Sequence, residues 1–199
     1  MIEAMDQPST DFINSYFICK YAKEVGLKVV LGGLRVDELF GGYNSFANMA
    51  KYELLRKWIP ATTFKIFQFF KKDKYQKASF LTIPGLMGQY LFNRGILCPR
   101  EIAHILCIPE SKIWTLLSDL NEQYESEFNT LDAFNKACIL EGDLYMQNQL
   151  LKDSDYMSMW HGAEIHVPYL DKELIELAYQ INSGIKAFEG QKNIYLFMP

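Results

Sequence analysis

A short apolar run that ends in two glycines restricts most strongly what this chain can fold into. Residues 28–33 read Lys-Val-Val-Leu-Gly-Gly, and a continuous apolar run stopped by glycines is typical of a buried strand in a parallel sheet. An amphipathic helix is predicted before it, over residues 10–25 and ending at Gly26, and a helical pattern resumes near Asp37. The order helix, strand, glycine turn, helix predicts part of an α/β layer.

Helices are predicted for nearly all of the remaining chain, over residues 44–58, 64–75, 100–106, 111–126, 131–151 and 171–181. Pro99 and Asp171 are expected to begin two of them, and residues 80–95 are expected to be irregular around their glycines. Because a lone strand has no partner for its backbone groups, we expect its neighbours to come from sequence absent here or from another chain. The chain is therefore predicted to be a mostly helical fragment with at most a small remnant of a sheet. Residues 1–43 would carry the strand and glycine loop, and residues 44–199 the helical portion.

Composition excludes several classes of protein. A formal net charge of −4 gives no electrostatic reason to expect a nucleic-acid partner. We find neither a secretory signal nor an apolar stretch long enough to span a membrane, so a soluble, cytoplasmic protein is expected. The four cysteines lack the spacing of a zinc site and are expected to be reduced and mostly buried.

The glycine turn and the two carboxylates after it are the first candidate site. Gly32 and Gly33 would allow backbone to approach a ligand at the carboxyl end of the strand. Asp37 and Glu38 offer hard oxygen atoms suited to Mg²⁺ beside phosphates. Spacing alone favours a structural interpretation, in which the carboxylates cap the next helix and the glycines only make turns.

Residues 5–46, MDQPSTDFINSYFICKYAKEVGLKVVLGGLRVDELFGGYNSF, resemble the asparagine synthetase family, whose pattern is close to MDQPxxDxxNxYFxxKxAxxxGxKVxLSGxGxDELFGGY. The resemblance implies that Gly32 and Gly33 contact ATP and the acyl-adenylate, and that Asp37 helps to bind Mg²⁺. Glu38 is expected to support the loop rather than to react.

Two further segments are similar to the same family. Residues 150–171 resemble its LLxDxDxxSMxxxxExRxPFLD signature, which shapes the floor of the synthetase site, and Lys192 stands where the family has a lysine that stabilises negative charge during adenylation. Judged from the residues alone, the charges of the signature favour a structural cluster whose members could pair with one another over a direct part in catalysis. They are Lys152, Asp153, Asp155, Glu164 and His166, followed by Asp171 as a helix cap.

The chain departs from the family pattern at several positions, among them Val36, which replaces the neighbour of a small residue near the phosphates. Gly32 replaces the serine of the loop, Arg35 replaces a small residue near the phosphates, and His166 stands where arginine is usual. The sequence leaves two roles open for Arg35, which either pairs with phosphate or fills the pocket. The glutaminase domain with its N-terminal cysteine and the Ser-Gly-Gly-x-Asp pyrophosphate loop are absent, so we expect no independent asparagine synthesis.

The resemblance implies a Rossmann-like parallel sheet of the adenine nucleotide alpha hydrolase type. It also implies an ATP-dependent reaction that adenylates the β-carboxylate of aspartate and then forms asparagine, with ATP and Mg²⁺ as cofactors. The expected partners are the glutaminase domain, the N-terminal half of the synthetase domain and a second copy bound through the open strand edge. Two alternatives stay open: a relative that adenylates a different carboxylate, and a degenerate, non-catalytic helical module that binds a partner.

Overall fold

The computed structural model describes residues 11–41, 59–60, 63–64, 66 and 76–186, together with Met5 and Ser9. The helices predicted over residues 44–58 and most of 64–75 lie outside this part, as does Lys192. The chain divides into two compact units, one formed by residues 1–43 and 138–199 and the other by residues 44–137.

The first unit opens with helix α1 (Phe12–Glu24), strand β1 (Val29–Leu31) and the short helix α2 (Val36–Phe40). Gly26, at φ 78°, follows α1, in the left-handed conformation that glycine adopts without steric cost. The predicted order of helix, strand, glycine turn and helix is therefore confirmed.

The second unit contains a 3₁₀ helix (Lys77–Thr82) and helices α3 (Gly85–Arg94), α4 (Pro99–Leu106) and α5 (Glu110–Glu127). Pro99 starts α4 and α5 covers the predicted range, but the irregular structure expected over residues 80–95 is wrong. Gly88 lies inside α3 without breaking it, and its lack of a side chain allows close packing against the preceding segment. A Cβ at Gly88 would lie 2.6 Å from the carbonyl oxygen of Phe80, so only glycine allows α3 to pass so close to the preceding backbone.

A long helical stretch runs from residue 133 to residue 161. It consists of α6 (Ala133–Leu140), a π-helix (Glu141–Leu150) and α7 (Leu151–His161), which ends at Gly162 with φ 67°. The sequence predicts one helix over residues 131–151 and does not indicate the change of spacing. Ten residues of π-helix are unusual, since this spacing occurs mostly as single-turn bulges, frequently at functional sites.

Strand β2 (Glu164–His166) pairs in parallel with β1, with Val29 opposite Glu164 and Leu31 opposite His166. The expectation that β1 finds no partner within this chain is therefore wrong. A second 3₁₀ helix (Pro168–Leu170), α8 (Lys172–Gln180) and α9 (Ser183–Lys186) follow. Asp171 caps α8 as predicted, because its carboxylate accepts a 3.1 Å hydrogen bond from the backbone N–H of Leu174.

The core of the first unit lies among α1, α2, α7 and α8, where Cys19, Leu39, Met157 and Ala178 are all 0% exposed. The outer face of the sheet is open, since Val29 is 46% and Leu31 76% exposed. The prediction of a strand buried on both faces is thus wrong for this structure. The outward side of α1 is also apolar, with Ile13, Phe17, Ile18 and Tyr21 exposed.

The cysteines of the chain are free, and three of the four are buried, as predicted. Across the described helices, none combines the length and the apolar character that crossing a bilayer requires. The described residues contain no group of three or more His, Cys, Asp or Glu side chains arranged to hold a metal ion.

Candidate functional site

The glycine turn follows directly from the pairing of the two strands. The N–H of Gly32 donates a 2.8 Å hydrogen bond to the carbonyl oxygen of His166 and so continues the ladder beyond Leu31. Gly33 is exposed, and nothing lies within 4 Å of the position that a Cβ would occupy there. The turn therefore offers open backbone at Gly33, whereas the N–H of Gly32 already serves the sheet.

The same geometry explains why glycine stands at position 32. A Cβ at Gly32 would lie 3.0 Å from Cγ2 of Ile165 and 3.7 Å from Cγ2 of Val167. A serine, which the family pattern has here, would fit only if Ile165 moved by a few tenths of an ångström. The Ile165 side chain on β2 therefore leaves little room for a side chain at position 32.

Asp37 and Glu38 lie in the first turn of α2 and have different environments. Asp37 is half-buried, whereas Glu38 is 1% exposed and lies in the core beside Leu39. Mg²⁺ at nucleotide sites is usually held by one or two carboxylates together with phosphate oxygens and water. The half-buried position of Asp37 suits a metal-binding carboxylate, and the buried position of Glu38 suits a residue that supports the loop.

Arg35 turns inward, toward α8 and the π-helix. Its side chain is 6% exposed, and Nη2 donates a 3.2 Å hydrogen bond to the hydroxyl of Tyr179. Nη1 lies 4.0 Å from the sulfur of Met146, and the guanidinium covers Gly142 on the π-helix. Arg35 therefore fills a pocket formed by α8 and the π-helix.

The backbone of Arg35 is in the left-handed region, at φ 83°. This conformation costs an L-residue roughly 1–2 kcal/mol, a cost that glycine does not incur. The Nε atom is buried without a hydrogen-bond partner among the described residues. Burial raises the pKa of Tyr179 to about 12, against the opposing effect of the guanidinium, so Tyr179 is a neutral phenol near pH 7. The guanidinium thus meets neutral groups.

The two longest motif segments meet at the start of α1. The carboxylate of Asp153 accepts a 2.5 Å hydrogen bond from the hydroxyl of Ser9. Asp11 accepts hydrogen bonds from the Tyr145 hydroxyl at 2.9 Å and the Gln149 amide at 2.6 Å. Burial, together with the nearby Asp11 charge, raises the pKa of Asp153 even though the Ser9 hydrogen bond opposes this. Asp153 therefore holds α1 in place from the interior.

Of the charges in the second segment that could pair with one another, the described residues show one pair. Glu164 and His166 do pair, at 3.3 Å between Oε2 and Nε2, but both side chains are largely exposed. Lys152 and Asp155 are exposed and form no ion pair in the described part of the chain. Exposed single pairs of this kind contribute little to stability.

A groove of about 480 Å³ lies between α7 and the segment that contains β2. Its polar lining comes from Ser154, Asp155, Ser158, Glu164 and His166. Ile165 and Val167, whose side chains lie against Gly32, also line it. The glycine turn and the second motif segment are therefore neighbours, although Asp37 is not part of the lining of this groove.

The sequence does not reveal the groups that contact the Arg35 side chain next to the glycine turn. Tyr179 looks like an ordinary residue of an amphipathic helix, and nothing marks it as a partner of Arg35. Gly142 carries a usable signal, because a glycine inside a helical pattern often has a packing reason.

His161 is a further buried polar residue, with Nε2 unpartnered among the described residues, and its ring lies 4.6 Å from that of Tyr16.

Comparison with known proteins agrees with the motifs. The model of the asparagine synthase family matches residues 1–196. The glutamine-hydrolysing asparagine synthetase 1 of Bacillus subtilis (strain 168) is 29% identical over 198 residues, which cover 93% of this chain and 30% of that protein. Putative glutamine-hydrolysing asparagine synthetases of Mycobacterium bovis and Mycobacterium tuberculosis (strain H37Rv) are each 22% identical over 92% of this chain and 28% of their own length.

This chain thus spans less than a third of the length of the curated relatives that it matches. No solved structure is significantly similar to it. Because the family model covers almost the whole chain, the chain belongs to the asparagine synthase family.

Proposed function

We propose that this chain forms the C-terminal part of an ATP-dependent synthetase domain and contributes one wall of its nucleotide site. The observation that carries the proposal is the open backbone at Gly33, which lies at the carboxyl end of a parallel strand and four residues before Asp37. In open α/β sheets, ligands bind outside this end of the strands. A parallel sheet extended by further strands, of the adenine nucleotide alpha hydrolase type, is the corresponding proposal for the fold.

Each candidate residue has a proposed part at that site. Gly33 brings open backbone to the acyl-adenylate, while Gly32 contributes close approach rather than its N–H, which already bonds to His166. Asp37 holds Mg²⁺, and Lys192, which lies outside the described residues, places a positive charge near phosphate oxygens. ATP supplies the adenylate that activates the β-carboxylate of aspartate. The protein contributes orientation and fixed charges around it.

We propose that the complete reaction needs further protein. The glutamine-hydrolysing relatives are much longer than this chain, so the proposed partners are the N-terminal half of a synthetase domain and a glutaminase domain. The isolated chain should give no asparagine above background in a coupled assay with aspartate, ATP, Mg²⁺ and ammonia. Turnover by the purified chain would refute the need for those partners.

Nucleotide binding tests the proposed site directly. MgATP or AMP should raise the Tm of the full chain, because a ligand that prefers the folded state stabilises it. Asp37→Asn should reduce the shift caused by MgATP and leave the smaller shift caused by AMP without metal. Asp119→Asn, at an exposed position of α5, is the matched control and should behave as wild type. A wild-type Tm that is unchanged by both nucleotides contradicts the proposal.

The open apolar surface favours a second candidate, a module that binds a protein partner. Val29 and Leu31 on β1 and Phe17 and Tyr21 on α1 are exposed, and parallel sheets are ordinarily covered on both faces. The proposed partner of the isolated chain is a second copy bound through the open edge of β1. Sedimentation should show a concentration-dependent dimer that Leu31→Lys weakens, and a monomer at all concentrations would exclude self-association.

A further inference from the structure

The side chain of Arg35 connects the glycine loop to two elements that lie far away in sequence. Its guanidinium donates to Tyr179 of α8 and lies across Gly142 and Met146 of the π-helix. All of these residues belong to the first unit. Because Gly142 and Met146 are four residues apart on one helix, they form a single surface under the planar group.

This anchor acts on the start of α2. Arg35 is the residue immediately before the helix, and its carbonyl oxygen accepts a 3.0 Å hydrogen bond from the N–H of Leu39. Asp37 follows two residues later, and its own carbonyl accepts from the N–H of Gly41 at 2.9 Å. The conformation of Arg35 therefore sets the direction in which this five-residue helix, and the carboxylate on it, leave the glycine turn.

The partners of the guanidinium are neutral, which bears on its role. In the part of the chain that the structure describes, no carboxylate pairs with Arg35, and its Nε makes no hydrogen bond. Burial of a charge without a direct ion-pair partner is unfavourable, and so is the left-handed backbone at this position. The arrangement gains the packing of a planar group whose donors have fixed directions, whereas an ammonium is a compact charge whose donors rotate freely.

We propose that Arg35 is a positioning residue that fixes the first turn of α2, and with it the Asp37 carboxylate, at the end of the Gly32-Gly33 turn. It acts through Tyr179 and Gly142 and does not touch the ligand. The proposal rests on the proposed function only for what Asp37 binds. The anchoring itself is a property of the loop and is measurable without any nucleotide.

Amide hydrogen exchange on the full chain tests this positioning. Arg35→Met keeps much of the length of the side chain and removes the planar donors, so the amides of Leu39 and Gly41 should exchange at least tenfold faster. Amides in the middle of α7 should exchange as in wild type. Arg35→Lys, which retains a donor without the fork, should fall between the two. Arg100→Met is the matched control, because Arg100 is exposed on α4.

Two outcomes would overturn the proposal. One is unchanged exchange at Leu39 and Gly41 in Arg35→Met. The other is an equal acceleration at α2 and α7, which would make Arg35 an ordinary contributor to global stability. If Arg35→Met does not fold, Tyr179→Phe removes only the acceptor and should accelerate exchange in α2 selectively, and uniform or absent acceleration there again rejects the role.

The two proposals fail in distinguishable ways. A wild-type Tm that does not respond to MgATP removes the nucleotide site and leaves the exchange result intact. If Arg35→Met shows no selective acceleration of exchange at α2 while MgATP still raises the Tm of the wild type, the positioning role is rejected and the nucleotide site stands.

Discussion

Gly142→Ala should destabilise the protein when residue 35 is arginine and stabilise it when residue 35 is glycine. The guanidinium of Arg35 lies directly on Gly142. A Cβ there would overlap Nη1 and lie 2.5 Å from Cζ and 2.9 Å from Nη2. The side chain of Arg35 must therefore move away before an alanine methyl group can be accommodated at this position.

The size of the effect follows from three contributions. Overpacking a filled site costs about 1–3 kcal/mol, and losing the hydrogen bond from a charged donor to Tyr179 costs about 1.5–3 kcal/mol. Alanine in place of glycine in a helix returns roughly 0.5–1 kcal/mol. Gly142→Ala in the wild-type background should therefore lower the free energy of unfolding by roughly 2–5 kcal/mol.

In the Arg35→Gly background the obstacle is absent, so the helical preference of alanine alone remains. Gly142→Ala should then raise the free energy of unfolding by about 0.5–1 kcal/mol. Urea unfolding of the wild type, the two single variants and the double variant measures the coupling. It should be about 2 kcal/mol or more, well above the roughly 0.5 kcal/mol by which independent sites depart from additivity.

A matched control is available in the same unit. Gly184 lies on α9, and a Cβ there would lie 3.1 Å from the side-chain oxygen of Asn182, not from Arg35. Gly184→Ala should be additive with Arg35→Gly. Additivity of Gly142→Ala with Arg35→Gly, or a wild-type background that tolerates Gly142→Ala without loss of stability, would refute the placement of the guanidinium.

Three further predictions concern single groups. Asp153→Asn should be more stable than wild type at pH 7, because burial raises the native pKa of this carboxyl above 3.8. The advantage should shrink as the pH falls through the raised pKa, and urea unfolding in a series of buffers from pH 7 downward measures it. Burial lowers the native pKa of His161 below 6.5. The wild type should therefore lose stability from this residue as the pH falls below about 6.5, whereas His161→Phe should not. Stability profiles of the two proteins that run parallel over this pH range would contradict this. Asp171→Ala should cost about 0.5–2 kcal/mol and Asp171→Asn much less, and equal losses would argue against the cap.

Local signals in the sequence predict the elements that local chemistry determines. Pro99 at the first position of a helix, Gly26 after α1 and Asp171 as a cap are each recognisable from one or a few residues, and each is found where expected. These features depend on backbone angles and on groups within a single turn. They need no knowledge of what packs against them.

The features that the sequence does not predict depend on distant segments. Strand β2 reads Glu-Ile-His, which has neither the length nor the composition of a strand, and it forms because β1 supplies its hydrogen-bonding partners. Gly88 reads as a helix breaker, but it is required by the carbonyl groups beneath α3. The inward direction of Arg35 depends on a tyrosine and a glycine that no local pattern connects with it.

The candidate site also combines features that one continuous segment determines with features that depend on distant segments. The order of the glycine turn and the Asp37 helix is predictable, because it lies in one continuous segment. The role of Asp153 is not predictable, since its partner, the Ser9 hydroxyl, lies in the other motif. Lys152 and Asp155 take no part in a paired charge cluster because both are exposed on α7, and spacing along a helix does not reveal which face is covered.

The pairing of residue 29 with residue 164 has a consequence for how the chain acquires its structure. During synthesis on a ribosome, β1 emerges long before β2, and all of residues 44–137 must be made in between. Closing so large a loop carries an entropic cost that grows slowly with its length, and pairings between distant residues form slowly. The pairing of β1 with β2 therefore forms only after the residues of α3, α4 and α5 have been made, so these helices, whose contacts are local, can fold before this pairing.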